Sequence, residues 1–262
     1  MTQRKQMEGN LVAAVERAED SNAAKSRFLA AISHDVRQPL HAQALFLDMF
    51  SRTTLDAHQR QLLASANAAA NSCGDMLNTL LNFSRVDAGI MTPRLQSFRL
   101  QPLLNKIEKE CGPQADVKGI VYRLRETNLW VHSDPMLLEL ILRNLISNAI
   151  RYTEHGGLLV TCRSRDREAL LEVWDTGIGI STADQQVIFG EFIQLANPEL
   201  DLQRGLGLGL AIVNGLARTL KHRLSVVSTP QRGSVFRLYL PIAQAVSRQL
   251  AATAQVARFL RC

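Results

Sequence analysis

Four groups of residues in this chain have types and spacings that chemistry could use, and the first is the stretch ISHDVRQPL. In it, His34 stands beside Asp35, and Gln38 and Pro39 follow on the same stretch. A carboxylate next to a histidine can hold one ring nitrogen and leave the other more nucleophilic. Pro39 removes a helical N–H donor, so we expect the helix to bend beside His34. An exposed histidine that takes part in no reaction is the alternative interpretation.

The second group is a polar face on the otherwise apolar stretch RNLISNAIRYT. Asn144 and Asn148 share one face of a helix, and Arg151 and Tyr152 follow along it. Two amides on one face can ligate or orient Mg²⁺ and its waters around a triphosphate. Arg151 can reach a phosphate, and Tyr152 can pack against a base. A solvated polar stripe is the alternative interpretation.

The third group ends an apolar strand in VWDTGIGI. The strand delivers Asp175, and Gly177 and Gly179 then allow sharp turns of the backbone. A buried carboxylate beside such a turn can accept a hydrogen bond from an adenine amino group.

The fourth group is the glycine run RGLGLGLAIV, in which Arg204 precedes Gly205, Gly207 and Gly209. Glycines in front of an apolar helix let backbone N–H groups reach phosphates at the helix N-terminus. Glycine-rich helix starts also arise from tight packing, so the run alone leaves both interpretations open. No strand directly precedes it, which excludes the dinucleotide-binding fingerprint.

The length and composition of the chain are compatible with folded domains that could hold these four groups in position. A chain of 262 residues can form one large or two modest domains, each with its own core. The net charge is +6, but Lys and Arg are scattered, so we expect no nucleic-acid partner. No apolar run approaches about 18 residues, so we expect no direct membrane contact in this chain. The four cysteines form no C-x-x-C pair, which is typical of reduced cytosolic thiols.

The N-terminal part of the chain has the pattern of two long amphipathic helices. Their seam positions alternate three and four residues apart, which is the period of a coiled coil. These positions are Leu11, Val15, Ala18, Asn22, Lys25, Leu29, Ile32 and Val36, and then Leu63, Ala66, Ala70, Cys73, Leu77, Leu80, Ser84 and Asp87. We predict a coiled-coil linker helix over 1–25 and a mainly α helical hairpin over 26–90, which ends at Gly89. Dimerisation into a four-helix bundle would hide the apolar stripe, and packing within the chain is the alternative.

Residues 91–242 mix short β-rich runs, glycine turns and helices. This pattern predicts an α+β two-layer sandwich, in which helices cover one face of a sheet. Asp134 and Pro135 form a helix-start signal, and QPLLNKIEKECG forms a second helix. GLLVTCRSRDREALLEVWDT and LSVVSTPQRGSVFRLYLP are typical of hairpins. We interpret 243–262 as a C-terminal linker or tail.

The four groups together resemble the catalytic core of a sensor histidine kinase of two-component signalling, a family that includes hybrid kinases. The resemblance covers about residues 26–241. It lies in the H-box SHDVRQPL, the N-box LRNLISNAIRYT, the glycine boxes DTGIGI and GLGLGL, the phenylalanine box IFGEFIQL and the element RGSVFRLYLP. It implies a HisKA-type dimerisation and phosphoacceptor domain followed by a GHKL-type ATP-binding domain.

The resemblance also implies a role for each matched residue. His34 would be the phosphorylated histidine and Asp35 its acid–base partner, while Asn148 would ligate Mg²⁺ with support from Asn144. Asp175 would bind the adenine amino group. The other cofactor-binding positions would be Arg151, Tyr152, Gly177, Gly179, Arg204, Gly205, Gly207 and Gly209. The polar span 196–204 would be a mobile lid anchored by Phe189 and Phe192.

Three positions depart from the pattern of the family. Arg151 stands where these kinases often have lysine, and it keeps the charge but not the point-like geometry. Lys221 and His222 replace glycines, and we interpret them as a detail of a turn. Gln38 stands where relatives have Thr or Asn to hold the water that dephosphorylates the response regulator. Its extra methylene moves the amide outward, which leaves a phosphatase role for Gln38 open.

The expected activity is therefore ATP-dependent autophosphorylation of His34, followed by transfer to an aspartate of a response-regulator receiver domain. The cofactors would be ATP and Mg²⁺, the assembly a homodimer, and the location the cytoplasm, alone or as the cytoplasmic part of a membrane receptor. One alternative is a response-regulator phosphatase or docking scaffold with weak kinase activity. Another is a hydrolytic GHKL-type ATPase, although such proteins carry a glutamate base where Asn144 stands.

Overall fold

The computed structural model describes residues 38–89, 91–194 and 206–243. They fall into two units: a helical unit up to Met91, with which residues 206–208 are grouped, and an α/β unit that begins at Thr92 and resumes at Gly209. The predicted linker helix over 1–25 lies outside the described residues, as does the tail from residue 244 onward. Within the described residues, no helix is both long and apolar enough to cross a membrane.

The helical unit consists of helix α1 over residues 38–51 and helix α2, Ala57–Asp87. Asp56 caps α2, because its carboxylate accepts from the Gln59 backbone N–H at 2.8 Å while the Gln59 side chain accepts from the Asp56 N–H at 3.0 Å. This reciprocal pair satisfies two of the donors that a helix start leaves open. Gly89 follows the C-cap with a φ of 64°, so the predicted stop is confirmed.

The predicted seam of α2 is only partly buried within one chain. Leu63 and Ser84 are buried, but Cys73 and Asp87 are exposed, and Leu81 is buried beside the seam. Large apolar side chains also remain exposed in this unit. They are Leu45, Phe46, Met49 and Phe50 on α1 and Leu62 and Met76 on α2. A single hairpin therefore leaves an apolar surface in water.

The α/β unit contains seven strands and four helices within its described residues. The strands are β1 (Gln96–Arg99), β2 (Val121–Leu124), β3 (Trp130–Ser133), β4 (Gly157–Arg165), β5 (Glu168–Asp175), β6 (Arg223–Thr229) and β7 (Gly233–Pro241). The helices are α3 (Leu100–Lys118), α4 (Pro135–Tyr152), α5 (Thr182–Gln185) and α6 (Gly209–Thr219). The main sheet has the order β2-β4-β5-β7-β6. The neighbours in it run antiparallel except β2 and β4, which are parallel.

Two features of this unit differ from the sequence prediction. The first strand, β1, is outside the main sheet and pairs with β3. The sequence analysis predicted neither strand β3 nor this pairing. Strand β3 is too short, at four residues, for alternation to stand out. Helix α3 also continues past Gly112 and through Pro113 to Lys118, since Ala115 is fully buried and anchors its last turns.

The core lies between the helices and one face of the sheet. Leu138, Ile141, Leu142, Leu145 and Ile146 of α4 are at most 2% exposed, and each such side chain stabilises the fold by about 1.5–3 kcal/mol. The other face of the sheet carries Glu172, which is buried and pairs with Arg163 at 3.3 Å and Arg237 at 2.9 Å. The predicted sheet with helices on one face is therefore confirmed.

Candidate functional site

Helix α4 carries the two asparagines of the polar face, and its start is held as the sequence predicts. Asp134 caps the helix by accepting from the N–H groups of Met136 at 2.9 Å and Leu137 at 3.1 Å. Pro135 occupies the first turn, where its missing N–H costs nothing. Asn144 and Asn148 follow on one face, and both are half-buried.

The glycine that begins α6 lies against these asparagines. A Cβ built on Gly209 would stand 3.1 Å from Asn144 Oδ1 and 3.8 Å from Asn148 Nδ2. Asn144 Nδ2 donates to the Leu140 carbonyl at 2.8 Å, which orients its oxygen. The side chain of Asn148 makes no hydrogen bond within the described part of the chain, so its amide is open to a ligand. Glycine at 209 thus lets the first turn of α6 approach both amides.

The C-terminal end of α4 meets the first glycine box directly. The Ile178 N–H donates to the Tyr152 carbonyl at 3.2 Å, and a Cβ on Gly177 would overlap the same carbonyl. Arg151 is half-buried and Tyr152 is 38% exposed at this end of the helix. The N-box and the first glycine box are therefore in direct contact.

Lys118, which belongs to neither the N-box nor the first glycine box, also binds the C-terminal end of α4. Its Nζ donates to the carbonyl oxygens of Ile150 at 2.8 Å and Arg151 at 2.6 Å. A helix leaves its last carbonyls without intrahelical donors, so the ammonium acts as a C-terminal cap. Burial lowers the pKa of Lys118, Arg151 lowers it further, and Glu154 opposes the shift.

Asp175 lies at the end of β5, where the strand enters the first glycine box. Its Oδ1 accepts from the Gly177 N–H at 2.9 Å and from the Ser234 N–H at 3.2 Å. Burial raises the pKa of Asp175, and these two N–H groups and a hydrogen bond from the Ser234 side chain oppose the shift. A carboxylate offers about four acceptor sites, so the carboxyl keeps acceptor capacity beyond these bonds.

The first glycine box is packed between α4 and the β6–β7 turn. Gly179 has a φ of 68°, and a Cβ there would overlap the Thr229 carbonyl. The Gln231 N–H donates to the Ile178 carbonyl at 2.7 Å. Gly233, with a φ of 92°, lies so close to the Asp175 carbonyl that a Cβ would also overlap it. Side chains at these glycines would push the loop away from Asp175.

The remaining predicted site residues are not all within the described part of the chain. His34, Asp35, Arg204 and Gly205 lie outside the described residues, and so does the predicted lid over 196–204. Gln38 is exposed at the start of the described part of α1, and Gly207 has a φ of 70° just before α6.

Of the two predicted lid anchors, Phe189 has a packed ring. Its centroid lies 6.4 Å from that of Phe236 in an edge-to-face arrangement. Phe192 is 60% exposed and has a φ of 57°.

His222 is more than a detail of a turn, and that interpretation was wrong. The residue is buried, and its Nε2 lies 2.8 Å from the Ser133 hydroxyl, next to the cap of α4. Burial lowers the pKa of His222 to about 4, and the neighbouring His132 adds to the shift. The imidazole therefore joins the end of α6 to the start of α4 in its neutral form.

Sequence reasoning missed three residues that hold the site, namely Lys118, Ser228 and Gln185. Ser228 Oγ accepts from the Ile180 N–H at 2.7 Å, and Gln185 Nε2 donates to the carbonyls of Ile180 at 2.9 Å and Ser228 at 3.0 Å. Most of these partners are distant in the sequence, so no local pattern marks these residues. Ser234, whose N–H binds Asp175, was also not predicted as a site residue. It lies within the glycine element RGSVFRLYLP, and that element is the sequence signal that could have identified it.

Models of two protein families match the chain. Residues 24–89 match the His Kinase A (phospho-acceptor) domain. Residues 133–244 match the histidine kinase-, DNA gyrase B-, and HSP90-like ATPase. The chain belongs to the sensor histidine kinases. The region that holds Asn144, Asn148 and Asp175 is thus the ATP-binding domain of this family.

Two relatives of this chain are also described as sensor kinases. The chain is 34% identical over 232 residues to an uncharacterized sensor-like histidine kinase of Rhizobium meliloti (strain 1021), covering 86% of this chain and 44% of the relative. It is 33% identical over 237 residues to the autoinducer 2 sensor kinase/phosphatase LuxQ of Vibrio cholerae, covering 88% of this chain and 28% of the relative. The chain thus spans less than half the length of these relatives.

Solved structures agree with the fold. Full-length ShkA in complex with AMPPNP matches with a TM-score of 0.70 and 28% identity, covering 84% of this chain and 47% of ShkA. The histidine kinase AdeS of Acinetobacter baumannii matches with a TM-score of 0.56 and 22% identity, covering 80% of this chain and 98% of that one. The second match concerns the fold alone.

Proposed function

We propose that this chain is the catalytic core of a protein-histidine kinase that phosphorylates His34 from ATP and passes the phosphate to a receiver domain. The observation that carries the proposal is the meeting of the N-box with both glycine boxes. Gly209 lies against Asn144 and Asn148, and Gly177 lies against the end of the same helix beside Asp175. Helix α4 therefore contacts both the loop beside the proposed base-binding carboxyl of Asp175 and the proposed phosphate-binding start of α6.

The nucleotide is proposed to bind with its base at Asp175 and its phosphates at the start of α6. The carboxyl keeps acceptor capacity, which suits an exocyclic amino group. The N-terminus of α6 offers backbone N–H groups and the positive end of the helix dipole, which favour phosphate oxygens. Arg151 adds a positive charge at the far end of α4.

The donor set of the site fits Mg²⁺. Mg²⁺ prefers oxygen ligands, and it is usually bound by one or two protein groups together with waters and phosphates. Asn148 has a half-buried amide without a hydrogen bond in the described residues, and Asn144 presents its oxygen beside it. Asn148 would hold the ion with support from Asn144, and the bound ion would neutralise charge on the phosphates.

The proposed reaction is an in-line transfer. A ring nitrogen of His34 attacks the γ-phosphorus, the bond from that phosphorus to the bridging oxygen breaks, and ADP leaves with the electron pair. Asp35 hydrogen-bonds the other ring nitrogen and stabilises the imidazolium that forms. A carboxylate of the receiver then attacks the phosphorus, and the P–N bond to His34 breaks.

The proposed assembly is a homodimer, and the proposed location is the cytoplasm, where ATP is available. Support for the dimer comes from the apolar side chains that a single hairpin leaves exposed, including Phe46 at 68% and Met49 at 58%. A four-helix bundle would bury them. The proposed receiver partner would dock on the same hairpin near His34.

The test is incubation of the chain with γ-labelled ATP and Mg²⁺, with His34→Gln and Asn148→Ala as variants. We expect acid-labile, base-stable label on the wild-type chain and none on either variant. Label that persists in His34→Gln would contradict the proposed phosphoacceptor. Rapid release of phosphate without labelled protein would instead indicate a hydrolytic ATPase, a reading that Asn144 disfavours because an amide cannot take a proton from water.

A further inference from the structure

The side chain of Asp134 accepts hydrogen bonds on both of its carboxylate oxygens. Oδ1 accepts from the N–H groups of Met136 at 2.9 Å and Leu137 at 3.1 Å, in the first turn of α4. Oδ2 accepts from the backbone N–H of Arg94 at 2.7 Å. Asp134 is 6% exposed. One buried carboxylate therefore binds two segments that lie 40 residues apart in the sequence.

The helix cap alone does not require a carboxylate at position 134. Asn and Ser cap helices about as well as Asp, because one side-chain oxygen is enough to accept from N–H groups of the first turn. The bond from Arg94 uses the second oxygen, and neither Asn nor Ser has a second acceptor oxygen. The second oxygen of Asp134 therefore has a task of its own, which is to hold the segment that contains Arg94.

Arg94 belongs to the segment by which the chain enters the α/β unit. This connecting segment, residues 92–95, begins the unit and precedes strand β1 without forming a helix or strand itself. Pro93 has no N–H, so Arg94 offers the first backbone donor that follows it. Within the described part of the chain, the bond to Asp134 is the one hydrogen bond that the connecting segment makes.

The bond attaches the connecting segment to the helix that carries both asparagines of the site. Asn144 lies about 15 Å along α4 from Asp134, at a rise of 1.5 Å per residue. The helix is held firmly over this length, because Leu138, Leu142 and Leu145 are at most 2% exposed in the core. The position of the connecting segment relative to the asparagines is therefore fixed through Asp134.

We propose that Asp134 is a positioning residue for autophosphorylation, because it fixes the path by which the chain enters the unit that holds ATP. The inference rests on the proposed function, in which His34 of the helical unit attacks a nucleotide bound by the α/β unit. The chain passes from the helical hairpin into the α/β unit at the connecting segment. Attachment of this segment to α4 limits the approaches that His34 can make, and a reactant held in the right orientation reacts faster. The bond at Oδ2 thus acts on the transfer step and not on ATP affinity.

Asp134→Asn separates the two tasks of the carboxylate. Asparagine keeps one oxygen to cap α4, but its NH₂ group would face the Arg94 N–H, and two donors form no bond. We expect the rate of His34 phosphorylation at saturating ATP to fall about fivefold, the equivalent of one hydrogen bond, with an unchanged Kd for ATP. Asp116→Asn makes the same change at an exposed position of α3 and should alter neither quantity.

Arg94→Pro removes the same bond from the other side, since proline has no N–H. It leaves Asp134 and the cap of α4 intact, so it should lower the rate by the same factor even if Asp134→Asn does not fold. Arg94→Ala removes the exposed side chain but keeps the N–H, and it should retain the wild-type rate. The double variant Arg94→Pro/Asp134→Asn should be no slower than either single variant, because both changes act on one bond.

The test is labelling of the full chain with γ-labelled ATP and Mg²⁺ in a single turnover, with the Kd of a non-hydrolysable ATP analogue measured by calorimetry. Hydrogen exchange reports on the bond itself. In Asp134→Asn the Arg94 amide should exchange faster, while the amides of Met136 and Leu137 stay protected.

Wild-type rates in Asp134→Asn and Arg94→Pro would overturn the proposal, and so would a loss of rate in Arg94→Ala equal to that in Arg94→Pro. A loss of ATP affinity as large as the loss of rate would also overturn it, because Asp134 would then act only through the fold of the nucleotide site. A wild-type chain that takes up no label would instead contradict the proposed function.

Discussion

Lys118 Nζ lies 2.6 Å from the carbonyl oxygen of Arg151 and so caps the helix that carries both asparagines of the site. A residue outside every sequence box thereby holds the end of α4 against the first glycine box. We predict that Lys118→Met destabilises the α/β unit by about 1 kcal/mol, the net value of a typical hydrogen bond. It should also weaken ATP binding, because Tyr152 and Gly177 meet at this helix end.

Lys109→Met is the matched control, since Lys109 is exposed on the same helix α3. Chemical denaturation and nucleotide titration of both variants check the prediction. Equal behaviour of the two variants would show that the cap is dispensable.

Stability should fall in acid because of His222. Its pKa is lowered from 6.5 to about 4 in the folded chain, so between these values the unfolded state binds the proton and the folded state does not. The contribution is complete above pH 6.5 and is lost as the pH falls toward 4. At 1.36 kcal/mol per unit, it amounts to about 3 kcal/mol at most.

His222→Asn should flatten the dependence of unfolding free energy on pH between 4 and 6.5. His155→Asn, at an exposed position of the same unit, should leave the slope as in the wild type. Urea titrations across this range provide the measurement, and an unchanged slope in His222→Asn would rule out the assignment.

Gly209→Ala should impair nucleotide binding without unfolding the protein. The added Cβ would stand 3.1 Å from Asn144 Oδ1, which is too close without a shift of the amide. We expect a loss of ATP affinity of about tenfold, the equivalent of about 1.4 kcal/mol. Isothermal titration measures it, with thermal unfolding to confirm the fold.

Gly112→Ala is the control for that substitution. Gly112 is also within a helix, and a Cβ there would meet nothing within 4 Å. Replacing a helical glycine by alanine stabilises by roughly 0.5–1 kcal/mol, so this variant should gain stability and bind ATP normally. Equal affinities in both variants would contradict the close approach at Gly209.

Phe46→Glu should dissociate the proposed dimer. The ring is 68% exposed in a single chain, and burial of such a side chain contributes about 1.5–3 kcal/mol. We expect the dimer dissociation constant to rise at least about tenfold in sedimentation equilibrium. Leu95→Glu, which changes an exposed apolar residue of the α/β unit, should leave the dimer intact.

Gln38→Ala should affect the removal of phosphate from the receiver but not the phosphorylation of His34. Gln38 is exposed on α1, where its amide can hold a water against a docked receiver. We expect slower dephosphorylation of the receiver and unchanged labelling of His34, with Gln38→Thr as the comparison. Parallel loss of both activities would assign Gln38 a structural role in the helix.

Local elements of this protein follow from residues that are neighbours in the sequence. Asp134 and Pro135 start α4, and Gly89 stops α2, as their types predict. Both hairpins were predicted from β-rich runs on either side of a polar turn. These signals act within a few residues, because a cap or a turn satisfies backbone groups next to it.

The longer-range pairings were not predictable in this way. The parallel pairing of β2 with β4 and the pairing of β1 with β3 join segments that share no local pattern. Many pairings are compatible with short apolar strands, and packing of the whole core selects among them. The same holds for the cap by Lys118, which acts across 33 residues.

The residue types and spacing by themselves determined both hairpins, the starts and stops of the main helices, the family resemblance and the candidate site residues Asn144, Asn148 and Asp175. Tertiary structure alone decided which groups support them. The bond from the Ile180 N–H to Ser228 spans 48 residues, and the burial of His222 against Ser133 spans 89. Sequence patterns report on neighbours along the chain, whereas a hydrogen bond between distant residues or the pKa of a buried imidazole depends on atoms that only folding brings together.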